Sequence, residues 1–366
     1  MPPKNGRIES RPGERELILA DSVEGKIQTV CGLISPEELG PTLMHEHIFC
    51  DLTPPGLFPP EQPDEEISLE NVWDIRYHWV KHPGNHGLFQ EEVSVREMER
   101  FRNAGGGAVV EVTSVGINRN PLALRRTAER SLVPIIMGCG YYTEEFVGPE
   151  ARGKTAWEIA REIREDILTG AEGTDIRAGI IGEIGCSYPW TARERNAMEG
   201  AVIAQKQTGA SLSIHPGRHP RAPQEIAAFI RTVGGFLDRT IMGHVERTFP
   251  DLNSLLGFAE TGCVLEFDFF GIESSYYPFQ DIDLPNDAQR LKMIRSLIDA
   301  GHLSRIVVSH DICTKTRLRT YGGHGYAYIC EHIVPLMRRR GFTESEIETL
   351  LVKNPARLLT FARGHG

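Results

Sequence analysis

The sequence predicts an α/β fold, a (β/α)8 TIM barrel, on three observations. From Thr42 onward eight short apolar segments alternate with helical sequence, as in a parallel barrel. Several of these segments end on a residue able to bind a metal, and catalytic groups of such barrels gather at strand C-termini. The Gly-rich nucleotide fingerprint of the rival topology, a doubly wound open sheet, is missing from the first strand-to-helix turn.

Taken in order, residues 1–25 are polar and aperiodic and read as an arm before a single barrel unit over 26–366. Residues 26–31 and 42–47 read as short strands joined by the turn-like 35–40. The run Thr53-Pro54-Pro55-Gly56-Leu57-Phe58-Pro59-Pro60 is too rich in proline for regular structure, and with a helix-like segment at 71–80 it forms a long insertion after the first barrel strand. Lids and substrate loops occupy that position in other barrels. Strands follow at 106–113 and 132–138, separated by a helix over 121–130; Gly105-Gly106-Gly107 precedes a strand and reads as a helix-to-strand turn. Capping boxes at Thr155-x-x-Glu158 and Thr191-x-x-Glu194 start the next two helices, the first repeating Ile159, Ile163 and Ile167 on one face. Between and after them come strands at 177–183, 210–215, 240–244, 263–268 and 305–310, with further helices at 250–259, 287–300, 344–351 and 354–361.

Composition narrows the function. Forty percent hydrophobic and 25% charged residues are ordinary globular values, and a formal charge of −10 argues against general nucleic-acid binding. Seven scattered cysteines without a Cys-x-x-Cys pair favour reduced thiols and a cytoplasmic protein. No apolar run reaches the roughly 18 residues of a membrane span, and the start lacks a secretory apolar core. The expected partner is therefore a small molecule, with neither nucleic acid nor membrane, and a homodimer is left open.

The chemistry-bearing residues fall at strand ends. His45-Glu46-His47 closes the first strand, and alternate residues of a strand share a face, so two imidazoles point together. Glu183 lies in Ile-Gly-Glu-Ile-Gly, His215 ends Leu-Ser-Ile-His, His244 ends Ile-Met-Gly-His, and Asp311 follows Val-Val-Ser-His. In a barrel these six converge on one rim, a mixture of imidazole and carboxylate that suits divalent metal ions. Zinc is the first expectation; manganese and cobalt fit similar chemistry.

From Thr42-Leu43-Met44-His45-Glu46-His47 to Asn354-Pro355-Ala356-Arg357 the chain resembles the phosphotriesterase family of the amidohydrolase superfamily, including the spacing from Glu183 to His215 and on to His244. The resemblance implies two metal ions, one held by His45, His47 and Asp311, the other by His215 and His244, with Glu183 between them. Many family members use a carboxylated lysine as that bridge. Glu183, with Gly-Glu-Ile-Gly-Cys-Ser-Tyr-Pro-Trp and Asp-Ile-Cys-Thr-Lys-Thr-Arg, is similar to the animal-type phosphotriesterase-related branch, for which the resemblance implies hydrolysis of N-acetyltaurine and related N-acyl amino acids. Two divalent ions bring the pKa of a bridging water into the neutral range, and one polarises a carbonyl. Asp311 is then placed to move the proton to the leaving amine. Tyr142 matches a family aromatic near the substrate carbonyl, while Arg218, Lys315 and Arg317 are the cations expected to grip an anionic end. His310 and His324 are expected to pack or support. The rival readings are a phosphotriesterase or lactonase, which differs in its substrate loops, and a non-catalytic, metal-stabilised binding barrel.

Overall fold

The computed structural model describes residues 23–58, 65–78, 81–151 and 153–364; most of the arm expected at 1–25 lies outside the described residues. The chain enters through a hairpin of β1 (Ile27–Thr29) and β2 (Gly32–Ile34), paired antiparallel from Ile27 with Ile34 to Thr29 with Gly32. Here the structure corrects the single strand read over 26–31. The Thr29 hydroxyl accepts from the Cys31 N–H at 3.2 Å and donates to the Gly32 carbonyl at 2.8 Å, so a side chain competes for the backbone and turns it. Val30 N–H donates to the Ile135 carbonyl, which seats the hairpin at the start of a barrel strand.

The eight barrel strands are β3 (Thr42–Glu46), β6 (Ala108–Glu111), β7 (Ile135–Cys139), β8 (Ile180–Gly185), β9 (Leu212–His215), β10 (Thr240–Met242), β11 (Val264–Phe267) and β12 (Ile306–Val308). Each pairs in parallel with its neighbour in chain order. A short antiparallel pair, β4 (Cys50–Asp51) with β5 (Gly87–Leu88), lies in the insertion between β3 and β6. Branched aliphatic residues fill the strands because both faces are covered. One buried cluster, including Met44, Val110, Ile136, Ile180, Ile241, Val264 and Val307, draws a residue from most of the barrel strands; a larger one packs strands against helices.

The helices are α1 (Val72–Tyr77), α2 (Glu91–Asn103), α3 (Pro121–Ser131), α4 (Ala156–Leu168), α5 (Ala192–Thr208), α6 (Ala222–Val233), α7 (Val245–Thr248), α8 (Leu252–Ala259) and α9 (Asp287–Asp299), followed by shorter ones near the C-terminus. Both expected capping boxes form: Glu158 N–H reaches Thr155 Oγ1 at 3.3 Å, Glu194 N–H reaches Thr191 Oγ1 at 3.1 Å, and each glutamate bonds back. Ile159, Ile163 and Ile167 are buried on one face of α4. Among the described residues no helix is long and apolar enough to cross a membrane.

Two register shifts decide where side chains point. Between Leu43 and Glu46, β3 carries one residue more than β6, and between Ile181 and Ile184, β8 carries one more than β9. Such bulges re-aim side chains. Gly182, at the second bulge, has φ +107° and a Cβ there would stand 2.2 Å from the Ser213 carbonyl oxygen, so only glycine fits.

No ladder joins β12 to β3, the two ends of the eight-stranded order. Side chains and one backbone bond close the gap. His45 N–H donates to Ser309 Oγ at 2.9 Å and Asp311 N–H donates to the His45 carbonyl at 3.1 Å. The buried Glu46 carboxylate accepts from Ser309 Oγ (2.8 Å), His310 N–H (2.9 Å), His310 Nδ1 (2.7 Å) and Ile312 N–H (2.9 Å). Glu46→Ala would strand these buried donors and is expected to destabilise the fold by about 3–5 kcal/mol. Urea denaturation followed by circular dichroism measures this; a midpoint within error of wild type would show that the seam closes without Glu46.

Candidate active site

The C-terminal strand ends gather His45, His47, Glu183, His215, His244 and Asp311 into one buried cluster. Glu183 stands in its middle. Its Oε2 is 3.3 Å from His45 Nε2, 3.1 Å from His215 Nδ1 and 3.6 Å from His244 Nε2, while its Oε1 is 3.4 Å from His47 Nε2. Asp311 Oδ1 lies 3.4 Å from the same His47 nitrogen, and His244 Nε2 is 3.0 Å from His215 Nδ1. Two of these residues, His244 with φ +55° and Asp311 with φ +51°, occupy the left-handed region that costs a non-glycine residue about 1–3 kcal/mol. Their N–H groups are tied to Asp268 Oδ2 and the His45 carbonyl respectively, which holds the conformation.

A further layer orients the rings. His45 Nδ1 meets Glu266 Oε2 at 2.9 Å, His244 Nδ1 meets Asp268 Oδ1 at 2.9 Å, and His47 Nδ1 meets Thr113 Oγ1 at 2.9 Å, with Thr113 donating on to Glu111. With Nδ1–H donated outward, His45, His47 and His244 present the Nε2 lone pair inward; His215 instead presents Nδ1. Asp268 also falls within ligand distance of His45 and His244, but its oxygens already accept from the His244 ring and backbone.

The charges are unusual for a protein interior. Burial disfavours ionised Glu183, yet His45 and His215 outweigh it and hold the carboxyl well below its ordinary range. Asp311 is likewise lowered against burial, by His47, His244 and Arg317. In turn burial is overcome at His45 by Glu266 and Glu183, which raise it, and at His47 by Asp311 and Glu183, which bring it to about 9. Burial pushes Glu111 and Glu266 up to about 7. The donor set fits divalent ions by its chemistry and by its spacing, since ligands about 2.1 Å from a tetrahedral ion stand about 3.4 Å apart. His45 Nε2, buried and without a hydrogen-bond partner, is the atom such an ion would satisfy.

Above the cluster opens a cavity of about 760 Å³, a size that suits a small ligand. Tyr142 lines it, with its hydroxyl 3.3 Å from His215 Nδ1; burial and Glu183 raise its pKa well above the phenol range, so it remains an O–H donor. Arg218 also lines it, with Nε 2.8 Å from Tyr277 Oη and the guanidinium over the Phe279 ring at 4.4 Å. Burial works against the Arg218 charge, but Tyr277 and Tyr142 bring its pKa above the usual value. Arg317 approaches Asp311 from the other side, 3.7 Å from Oδ2 and bonded to the Asp311 carbonyl, and faces a neighbouring cavity of about 650 Å³ that shares Phe269, Tyr277 and Thr314 as walls. Lys315 is not brought to either cavity: it lines a small recess with Phe89, Leu318 and Tyr321, because the turn over Lys315–Arg317 points successive side chains in different directions. His310 and His324 stand outside the cluster, His310 bonded to Glu46 and 5.5 Å from the His324 ring.

Residues 25–359 match the model of the phosphotriesterase family. The chain belongs to the phosphotriesterase family. This family chain is therefore a metal-dependent hydrolase, and its relatives share nearly its full length. It is 41% identical over 365 residues to an N-acetyltaurine hydrolase of Dictyostelium discoideum, and 42% identical over 346 residues to one of Homo sapiens, each match covering 93% of this chain and 99% of the relative. Among solved structures, a resiniferatoxin-binding protein from Rhodobacter sphaeroides aligns with a TM-score of 0.87 and 35% identity, covering 94% of this chain and 98% of that one.

The sequence of this family member does not reveal Thr113, Glu266 and Asp268 as ring partners, Glu111 behind Thr113, or Arg247 in the cavity wall. Glu266 and Asp268 carried a usable signal, two acids one residue apart at the end of a strand. Thr113→Val keeps the shape of that side chain and removes the His47 contact. It is expected to weaken divalent-metal affinity about 10–100-fold. Competition with a chromophoric chelator measures the change, and wild-type affinity would show that Thr113 does not support the ring.

Proposed function

We propose that the protein is a binuclear amidohydrolase that cleaves small N-acylated anionic amines, N-acetyltaurine foremost, to acetate and the free amine. The observation that carries this reading is the meeting of four imidazoles and Asp311 around Glu183 beneath a cavity that also holds arginine. Support for the substrate comes from the relatives named N-acetyltaurine hydrolase, aligned over 93% of the chain. His45, His47 and Asp311 would hold one ion and His215 and His244 the other, with Glu183 shared; zinc is the ion we favour. When bound, the two ions supply an activated water and Lewis-acid polarisation of the acyl carbonyl.

The chain's own groups do the rest. Asp311 takes the proton of the attacking water and passes it to the leaving nitrogen; its lowered pKa means it is ionised, with a carboxylate oxygen open to receive one. Tyr142 donates from its hydroxyl to the carbonyl oxygen, where negative charge develops. Arg218 holds the anionic end, so the carbonyl is presented at a fixed place. Arg317 is adjacent to Asp311 and we assign it to the same anionic recognition through the second cavity. Lys315 has no place in this scheme. Seven free thiols support a reducing, cytoplasmic setting, and a single catalytic unit over 26–366 accommodates every group named.

Purified protein loaded with zinc is expected to release acetate from N-acetyltaurine, and to do so far faster than it opens a lactone or cleaves a phosphotriester; product detection across the three substrates decides. A preference for lactone or phosphotriester would transfer the assignment to those chemistries. Asp311→Asn should lower kcat by about 10²–10⁴-fold, since an amide cannot accept the proton. Metal analysis belongs to the same experiment: near-normal turnover at full occupancy would remove Asp311 from the proton path.

A further inference from the structure

Among the described residues three arginines are buried, and they differ in one respect. Arg119 is paired with Asp166 at 2.8 Å and Glu172 at 3.0 Å. Arg290 is paired with Asp287 at 2.7 Å and Glu246 at 3.4 Å. Arg247, 4% exposed, has no carboxylate partner among the described residues, and its chain neighbour Glu246 turns instead to Arg290 and the Phe269 N–H. Its named acceptors are neutral: Pro216 carbonyl oxygen at 2.9 Å from Nη2 and Thr248 Oγ1 at 3.2 Å from Nη1. A guanidinium has five N–H donors and keeps its charge, so burying it without an anion is costly.

The surroundings show where an anion would sit. Arg247 lines the cavity above the cluster together with Arg218, itself without a carboxylate partner among the described residues. Arg247 Nη2 is 3.4 Å from His215 Nε2. His215 turns Nδ1 to the Glu183 carboxylate at 3.1 Å, so in the neutral ring Nδ1 donates and Nε2 is one more neutral acceptor for Arg247. Every acceptor Arg247 has is thus neutral, and an anionic oxygen entering the cavity between Arg247 and Arg218 supplies the charge that none of them carries.

We propose that Arg247, with Arg218, forms a seat for a sulfonate or carboxylate, and that its distance from the cluster selects amines with two carbons between nitrogen and anion. This rests on the reading of an anionic N-acyl substrate and adds the residue and the length selection. Across the His215 ring and the 3.4 Å contact, the seat lies on the order of 6 Å from the Nδ1 that faces Glu183. In an extended N-acetyltaurine the bonds from carbonyl carbon to sulfur span about 5 Å, which puts the sulfonate oxygens at the seat while the carbonyl is over the cluster. One carbon fewer falls short, and one more must fold back.

Ethanesulfonate is the probe for the seat. Calorimetry on metal-loaded wild type, Arg247→Met and Arg247→Lys, with metal content and circular dichroism measured for each, is expected to show binding to wild type that weakens at least tenfold in Arg247→Met and less in Arg247→Lys. The kcat/KM ratio of N-acetyltaurine to neutral N-acetylethanolamine should fall by a similar factor in Arg247→Met. In wild type alone, N-acetyltaurine and N-acetyl-β-alanine should be preferred at least tenfold over their one-carbon and three-carbon homologues, a readout independent of any variant. Ethanesulfonate affinity unchanged in folded, metal-loaded variants, or a flat profile across spacer length, overturns the seat. Binding of ethanesulfonate through Arg247 without hydrolysis of any N-acetyl amine would instead retain the seat and reject the proposed reaction.

Discussion

The carboxylate of Glu46 is the constraint on which the rest depends. A barrel closes when its last strand meets its first, and here that junction has no ladder; Glu46 takes the Ser309 hydroxyl, the backbone N–H groups of His310 and Ile312, and the His310 ring. Placing an acid between two cluster-facing histidines has a geometric effect. When Glu46 turns into the seam, its neighbours His45 and His47 turn toward the barrel rim, and the segment it holds from the other side carries Asp311. The closing interaction of the fold is thus also what brings the first-strand histidines and the last-strand aspartate to one point, with His47 Nε2 3.4 Å from Asp311 Oδ1.

Around that point the protein has arranged charge in layers. Glu183 and Asp311 are held as anions in contact with imidazoles, and Glu111, Glu266 and Asp268 lie one layer further out, each reaching a ring directly or through Thr113. Buried carboxylates in this number are stable only against cations. The outer acids fix which nitrogen carries the proton, so the lone pairs of three rings are aimed before any ion arrives; this is the preorganisation that a metal site needs from its supporting residues. The two bulges serve the same end, each lying where a strand delivers a cluster residue.

Much of this could be read from the chain alone, and the reason is positional. Metal-binding residue types at the ends of apolar strands are visible because strand periodicity and chain order are local properties; His45, His47, Glu183, His215, His244 and Asp311 all meet as those properties require. The hidden parts depend on contacts distant in sequence. Nothing local tells that Glu46 will bond to residues beyond 300, or that Thr113 will stand behind His47. The β1–β2 hairpin was hidden by a hydroxyl turn within an apparently continuous strand. Lys315 shows the opposite error: a cation close to Asp311 in sequence was assigned to the cavity, but a tight turn carries it to a different face. Helices α2 and α6 were not placed individually, although Val93, Met98 and Phe101 on α2 and Ile226, Ala227 and Ile230 on α6 are spaced as buried helical faces.

The division of labour in the cavity follows from what each group is able to recognise. A cluster of imidazoles and carboxylates acts on the polarised centre of an amide, an ester or a phosphoester alike, and so its residues identify a class of chemistry without naming a substrate. Discrimination requires groups whose cost of burial is relieved by one ligand and not by another. The contrast among buried arginines supplies such a group. Arg119 and Arg290 are compensated by carboxylates within the fold and serve it, whereas Arg247, set against His215 and beside Arg218, has only neutral acceptors there. A neutral ester leaves that charge as it was; an N-acyl sulfonate or carboxylate neutralises it and is oriented in doing so. On the proposed reading, selectivity for the anion resides in Arg247 and Arg218 at the cavity wall, while reactivity resides in the cluster below.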